Sequence, residues 1–208
     1  MTSSKRRAAA LAAAVLVVAL TATAGLASSS SHKSARAGGD ITVWLSGTYS
    51  GATPGTTYRK WVDSIAVMQT GVFYCMRAAA RILVPQGSGC VVNISSIRGF
   101  SPNAGRMTYC TPKAAVIMMT KVAAGEWAPH GVRINAIAPG VLRTPMWDAD
   151  VARGAIDEQF YLDVVPMHRL GLPAEVGKLA VYLCSDDAAY VTGAVFTIDG
   201  ALTSIPAG

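Results

Sequence analysis

The sequence predicts an α/β domain in which helices cover both faces of a parallel sheet. Apolar, strand-like runs alternate along the chain with longer segments of helical periodicity, the pattern of successive strand–helix units. The strand-like runs are rich in β-branched residues, as in VVNI, and such runs are typical of buried parallel strands. Residues 40–208 are long enough for one domain.

The expected elements follow from these patterns. Strands are predicted near residues 40–45, 90–95, 133–137 and 194–199, and helices near residues 58–82, 107–127 and 174–184. The first helix has an apolar stripe at helical spacing, formed by Trp61, Ile65, Met68, Val72 and Met76.

Residues 1–39 differ in charge from the body that follows. They contain five Lys and Arg residues and no acid, for a net charge of +5, whereas the body has 13 basic residues against 12 acidic ones. The excess positive charge therefore belongs to this leader. It gives no support to nucleic-acid binding by the domain.

The leader has the order of parts found in a targeting signal. A basic start at residues 5–7 precedes an apolar run at residues 8–20 and small residues at positions 22–24 that suit cleavage. A Ser-rich linker follows at residues 28–39. We keep three interpretations: a cleaved export signal, a membrane anchor within residues 1–27, and a segment foreign to the domain. Membrane contact is expected only through this leader.

Histidine and cysteine do not indicate a metal site, because none of them lies at ligand spacing. The histidines are at positions 32, 130 and 168, and the cysteines at positions 75, 90, 110 and 184. We expect free, buried thiols, with two disulfides as the alternative. The acidic pairs Asp148/Asp150 and Asp157/Glu158 are interpreted as solvated charges.

The run YCTPK contains two residues that can act together in proton transfer, Tyr109 and Lys113. Tyr109 and Lys113 are four residues apart and share one face of the predicted helix, where the ammonium favours the phenolate form. Such a tyrosine can exchange a proton with a substrate. Ser96, at the end of the preceding strand, is placed to bond the same substrate oxygen. Pro112 predicts that Tyr109 lies close to the helix start, because proline is tolerated in a first turn.

Taken in order, the runs VVNISS, YCTPK, RINAIAPGVLRTPM and RLGLPAEV resemble the short-chain dehydrogenase/reductase family over residues 40–204. The resemblance implies a partial Rossmann-type, doubly wound parallel sheet, NAD or NADP as cofactor, and a small alcohol or ketone as substrate. It also implies a cytoplasmic homo-oligomer, with export or anchoring through residues 1–27 as the alternative location.

The resemblance assigns roles to three residues of the reacting centre. Tyr109 is the general acid in carbonyl reduction and the base in alcohol oxidation. Lys113 holds the nicotinamide ribose, and Ser96 orients the substrate oxygen. Ser95 is the weaker serine candidate, because neighbouring strand residues face opposite ways.

The resemblance also assigns cofactor contacts, and Tyr109 and Lys113 are among them. Leu142 and Thr144 belong to the turn P-G-x-x-x-T, where the backbone and the hydroxyl meet the nicotinamide carboxamide. Gly47 is what remains of the family's Asn-Asn-Ala-Gly. Residues 145–170 correspond to the substrate lid, and their aromatic and methionine side chains favour an apolar substrate.

Several departures from the family pattern matter for function. The glycine-rich phosphate loop between a strand and a helix is missing, so weak cofactor binding is expected. Met68 replaces the asparagine of a proton relay, and Asp199-Gly200-Ala201 nearly repeats the closing D-G-G. The retained catalytic residues favour an NAD(P)-dependent alcohol–ketone oxidoreductase. The departures favour the alternative, an inactive remnant or a partner-binding domain.

Overall fold

The computed structural model describes residues 15–18 and 58–204. Its strands are β1 (Val15–Val18), β2 (Gly89–Ile94), β3 (Val132–Pro139) and β4 (Val195–Ile198). Its helices are α1 (Tyr58–Ile65), α2 (Gly71–Gln86), α3 (Met107–Trp127), α4 (Pro145–Ala152), α5 (Glu158–Val164) and α6 (Pro173–Cys184). The strand predicted at residues 40–45, together with Gly47, lies outside the described residues.

The four strands form one parallel sheet in the order β1-β2-β3-β4. β2 pairs with β3 along its whole length, from Gly89 opposite Val132 to Ile94 opposite Ile137. Parallel neighbours need a crossover between them, which α3 supplies between β2 and β3. The α/β class and the strands predicted near residues 90–95, 133–137 and 194–199 are confirmed.

β1 comes from the apolar run of the predicted leader. It pairs in parallel with β2, with Val15 opposite Cys90 and Val18 opposite Asn93. The β-branched residues of this run are good strand formers, which explains the pairing locally. The assignment of the leader to export or anchoring stays a prediction.

Helices pack on both faces of the sheet. On one face, Leu83 of α2 and Val116 of α3 pack in one cluster with Val91. On the other face, Leu183 of α6 packs in a second cluster with Val92. All five side chains are at most 2% exposed. Since Val91 and Val92 point to opposite sides of β2, both faces of the strand must be apolar, as its sequence indicates.

The first predicted helix is correct in place but not continuous. α1 and α2 are joined by a π-helical turn, Ala66–Thr70, and α2 runs past the predicted end at residue 82. It ends at Gly87, whose φ of 74° is left-handed and whose amide donates to the Leu83 carbonyl at 3.0 Å. Of the apolar stripe, Met68, Val72 and Met76 are buried, as predicted.

The turn after β4 holds one residue in a conformation that suits glycine better. The Asp199 carboxylate accepts hydrogen bonds from the amides of Ala201 and Thr203, at 3.0 and 2.8 Å. Within this turn Ala201 has a φ of 70°. A left-handed conformation costs a residue with a Cβ roughly 1 kcal/mol, and the family's glycine would avoid that cost.

Ala201→Gly is therefore expected to raise the free energy of unfolding by about 0.5–1 kcal/mol, measured by urea denaturation. The neighbouring Gly200→Ala serves as the matched control. It is expected to destabilise the protein, because Gly200 has a φ of 63° and an added Cβ would lie 2.8 Å from Cγ1 of Val165. Equal stability of Ala201→Gly and the wild type would contradict the strain at residue 201.

All four cysteines are free, as predicted, but only Cys90 is buried, while the other three are partly exposed. Residues 58–204 contain no cluster of three or more His, Cys, Asp or Glu side chains suited to a metal ion. No helix within the same range is both long and apolar enough to cross a bilayer.

Candidate active site

Two hydrogen bonds join the carboxyl end of β2 to helix α3. The Ser95 hydroxyl donates to the Lys113 carbonyl at 2.7 Å, and the Lys113 ammonium donates to the Ile94 carbonyl at 3.2 Å. Both side chains are buried. This reciprocal contact fixes the turn of α3 that carries Lys113 against the end of the strand. Ser95 thus has a structural contact, in agreement with its rank below Ser96.

Tyr109 and Lys113 lie on one face of α3, as their spacing predicts. The Lys113 Nζ atom is 5.7 Å from the centre of the Tyr109 ring. Tyr109 is the third residue of the helix, which confirms the prediction that it lies near the helix start. Pro112 is one turn further in than expected, because α3 begins at Met107. Its ring removes the amide that would otherwise bond the Thr108 carbonyl.

Ser96 is the second residue after β2 and caps the short turn Ile97–Gly99. Its hydroxyl oxygen accepts a hydrogen bond from the Arg98 amide at 3.1 Å and caps this turn, while its own proton can still be donated. The turn lies close to α3, because a Cβ on Gly99 would be only 2.9 Å from the Lys113 carbonyl oxygen. Glycine at this position therefore keeps Ser96 beside the turn of α3 that carries Lys113.

Lys113 is a cation held almost out of contact with water. Burial lowers the pKa of its ammonium to about 8, because removal of water disfavours the charged form. Since this value still lies above 7, most molecules keep the positive charge at neutral pH. The charge that acts on Tyr109 is therefore available at pH 7 and is lost as the pH rises past about 8.

The residues after β3 fit the nicotinamide end of a dinucleotide. Leu142 pairs with Gly171 through bonds that use the Val141 carbonyl and the Arg143 amide, so the Leu142 backbone groups face the other way. The Thr144 hydroxyl oxygen accepts from the Trp147 amide at 3.1 Å and caps α4, which leaves its proton to donate. A carboxamide has an acceptor oxygen and a donor NH2 group. The Leu142 N–H and C=O and the Thr144 hydroxyl are groups that can bond to both.

Met68 lies in the middle of the π-helical turn and is 1% exposed. π-helical turns are frequent at functional sites, and this one falls where the family places its relay asparagine. The thioether of Met68 does not replace an amide as donor and acceptor. The structure supports the interpretation of Met68 as a core residue.

One part of the lid was misread from the sequence. Glu158, interpreted as a solvated charge, accepts hydrogen bonds from the Arg143 guanidinium and from the Trp147 indole nitrogen, the latter at 3.3 Å. Asp157 caps α5 by accepting from the Phe160 amide at 3.3 Å. The interpretation as a solvated charge was wrong for Glu158, because the fold brings α5 back against α4 and the residues before it, whereas Asp157 is exposed and caps the helix. The sequence signal was a cap residue directly before a helical run.

The other acidic pair is closer to its predicted role. Asp148 lies 3.5 Å from Arg143, with both side chains about half exposed, and Asp150 pairs with Arg153 at 2.7 Å. Exposed pairs of this kind add little to stability. The lid also contains an edge-to-face pair of Trp147 and Tyr161, with ring centres 5.0 Å apart.

Comparison with known proteins places these features in a family. The family profile described as Enoyl-(Acyl carrier protein) reductase matches residues 7–203. The chain belongs to the short-chain dehydrogenase/reductase family. The match begins inside the predicted leader, earlier than residue 40, where the resemblance was placed from the sequence motifs.

Individual members of the short-chain dehydrogenase/reductase family support this placement. The 2,5-dichloro-2,5-cyclohexadiene-1,4-diol dehydrogenase LinX of Sphingobium indicum is 42% identical over 140 residues, which cover 67% of this chain and 55% of LinX. The 3-oxoacyl-(acyl-carrier-protein) reductase FabG of Aquifex aeolicus is 37% identical over 142 residues, or 68% of this chain and 56% of FabG. The chain thus spans just over half the length of these relatives.

Solved structures of the short-chain dehydrogenase/reductase type share the fold. ElxO with NADP bound has a TM-score of 0.74 and 32% identity, and the match covers 80% of this chain and 69% of ElxO. A protein from Agrobacterium tumefaciens described as a putative 2-deoxy-d-gluconate 3-dehydrogenase, also with bound NADP, has a TM-score of 0.71 and 31% identity. The match covers 76% of this chain and 64% of the solved chain.

Proposed function

We propose that the chain is an NAD(P)-dependent oxidoreductase that interconverts an alcohol and a ketone, with Tyr109 as acid and base. The observation that carries this proposal is the buried Lys113 ammonium, held by the end of β2 and lying 5.7 Å from the Tyr109 ring centre. A buried cation beside a phenol is the arrangement that stabilises a phenolate. Relatives of this chain are named dehydrogenases and reductases, which supports the same chemistry.

Each residue has one task in this proposal. Ser96 donates its hydroxyl proton to the substrate oxygen and fixes the carbonyl in place. Tyr109 gives its proton to that oxygen in reduction and takes it back in oxidation. Lys113 binds the nicotinamide ribose and stabilises the phenolate, while Leu142 and Thr144 hold the carboxamide. When bound, the nicotinamide supplies or accepts the hydride.

The bound substrate must be kept from water for this chemistry, and the lid suits that task. α4 and α5 are held together by Glu158 and by the ring pair of Trp147 and Tyr161. Phe160 and Met167 are exposed on the same segment and offer apolar contacts. We infer a substrate with an apolar part next to its carbonyl carbon.

The second candidate is a catalytically inactive remnant that binds a partner. Buried Met68 favours it, because an apolar side chain takes the place of the relay amide. A nicotinamide-fluorescence titration of the full chain with NADH and NADPH separates the two candidates at the binding step. Saturation at micromolar concentrations supports the enzyme and overturns our expectation of weak binding. No change in fluorescence up to millimolar cofactor supports the remnant.

Adjacent serines provide a matched test of the site. Ser96→Ala is expected to lower kcat for ketone reduction by about a hundredfold, because one donor to the reacting oxygen is removed. Ser95→Ala removes only the bond to the Lys113 carbonyl and is expected to lower stability by about 1 kcal/mol with a smaller effect on kcat. Steady-state kinetics and urea denaturation of both variants check this. A larger loss of kcat in Ser95→Ala would contradict the assignment.

We further propose that the protein is a cytoplasmic homo-oligomer. Large apolar side chains are exposed on α2 and α3, among them Phe73, Ile82, Met118 and Val122. Contact with a second copy of the chain would bury these side chains and would explain why this helical surface is apolar. Light scattering of the purified chain gives the mass of the assembly, and a monomer at micromolar concentration would contradict self-association.

A further inference from the structure

Two thiols meet at the end of the sheet opposite to the candidate active site. Cys90 is the second residue of β2, and Cys184 is the last residue of α6. The Cys90 thiol donates to the Leu183 carbonyl at 3.2 Å, next to Cys184 in the chain. Cys184 packs against the buried cluster that contains Cys90. Residues nearly a hundred positions apart in sequence thus bring their sulfur atoms to one place.

A guanidinium holds the end of α6 at this position. Arg133 donates to the Leu183 carbonyl at 2.6 Å and to the Ser185 carbonyl at 3.0 Å. These two carbonyls flank Cys184. The bonds fix the last turn of α6 over the start of β2, and they place a permanent positive charge beside both sulfur atoms.

The charges around the pair favour one thiolate. Contact with Cys184 lowers the pKa of the Cys90 thiol, the Arg133 charge lowers it further, and burial opposes both. The pKa of Cys184 is raised, first by its contact with Cys90 and then by burial. Of the two sulfurs, Cys90 is therefore the one whose thiolate is favoured, and a thiolate is the form that attacks a disulfide.

We propose that Cys90 and Cys184 form a reversible redox pair that small-molecule disulfides, such as oxidised glutathione, convert into an intramolecular disulfide. Cys184 is partly exposed and Cys90 is 2% exposed, so the reagent reaches Cys184 first. As Cys184 bonds to one glutathione sulfur, its proton leaves with the other glutathione, and Cys90 is kept for the second step. The Cys90 sulfur then attacks Cys184 and expels the glutathione. Two protein S–H bonds and one glutathione S–S bond break, while one protein S–S bond and two glutathione S–H bonds form.

The bond would tie α6 to β2 without touching the site at the other end of that strand. The loop that it closes, from residue 90 to residue 184, includes most of the domain. A long closed loop restricts the unfolded chain strongly, so the oxidised protein should resist unfolding more than the reduced one. This holds whether or not the chain is an oxidoreductase.

The test uses the full chain, reduced and then incubated with oxidised or reduced glutathione. Peptide mass mapping after oxidation is expected to show Cys90 linked to Cys184, with two of the four thiols no longer titratable. Tm is expected to rise by about 5–15 °C and to return on treatment with dithiothreitol. Cys184→Ser should abolish both changes, and Cys90→Ala gives an independent check in case either variant folds poorly.

Cys75→Ser is the matched control, because Cys75 lies on α2, and it should keep the linkage and the rise in Tm. Four outcomes would overturn the proposal. They are glutathione retained on Cys184 without a second bond, a linkage to Cys75 or Cys110, disulfide-linked dimers, and four thiols that still titrate after oxidation.

Discussion

Tyr109→Phe is expected to lower kcat for ketone reduction by about a hundredfold to ten-thousandfold. The change keeps the ring near Lys113 and removes only the hydroxyl that would carry the proton. Cofactor binding should change little, since the variant keeps Lys113, which holds the ribose in this proposal. The effect is measured by steady-state turnover of NADPH with a panel of ketones, together with the fluorescence titration.

The control for this variant is Tyr74→Phe. Tyr74 lies on α2, is 55% exposed and has Arg77 near its ring, so loss of its hydroxyl should leave kcat unchanged. Equal turnover by Tyr109→Phe and the wild type would remove the acid–base role and leave the remnant as the better account. A loss shared by both variants would point to general damage.

Lys113→Met is expected to make the protein more stable and much less active. Burial holds the pKa of Lys113 at about 8, below its ordinary value of 10.5. Between these two values the unfolded chain binds more protons than the folded one, so the free energy of unfolding rises with pH across that window. Below pH 8 both forms are protonated, and the full cost of about 3 kcal/mol is present.

The methionine removes that cost and loses the bond to the Ile94 carbonyl, which is worth about 1 kcal/mol. The net expectation at pH 7 is a gain of about 2 kcal/mol in the free energy of unfolding. The rise in stability between pH 8 and 10.5 should also disappear. Activity should fall at least about a hundredfold, because the cation beside Tyr109 is lost.

Urea denaturation at pH 7 and at pH 10, together with kinetics at pH 7, checks both parts of this expectation. Lys121→Met is the matched control, because Lys121 lies on the same helix and is exposed. It should change neither activity nor the dependence of stability on pH. A Lys113→Met protein that is less stable than the wild type at pH 7 would show that the buried charge does not destabilise the folded state.

The parts of the fold that local pattern determines were predicted well. The predicted bounds of the helix from Met107 to Trp127 agree with α3, although the run contains Pro112 and Gly125. The apolar run of β2 was recognised because a strand buried on both faces needs no alternation. The pairing of Tyr109 with Lys113 followed from helix geometry alone.

The features that depend on distant contacts were not predictable in the same way. No pattern in the sequence predicts the π-helical turn at Met68, because the apolar stripe continues through it. Glu158 has its partners only because α5 folds back towards Arg143 and Trp147. β1 pairs with a strand far along the chain, and the hydropathy of VLVV suits a leader as well as a strand.

The parallel order of the strands also determines how this chain must fold. Val91 pairs with Ile134 and Ile137 pairs with Phe196, so each contact closes a loop of several dozen residues. None of the four described strands can pair with its neighbour through a tight hairpin, and the entropy of closure is lost before any pairing energy is gained. Folding should therefore be slow, and β2 leaves the ribosome well before β3 is made. Until β3 and the covering helices are made, the apolar faces of β2 are incompletely buried, which favours aggregation during synthesis.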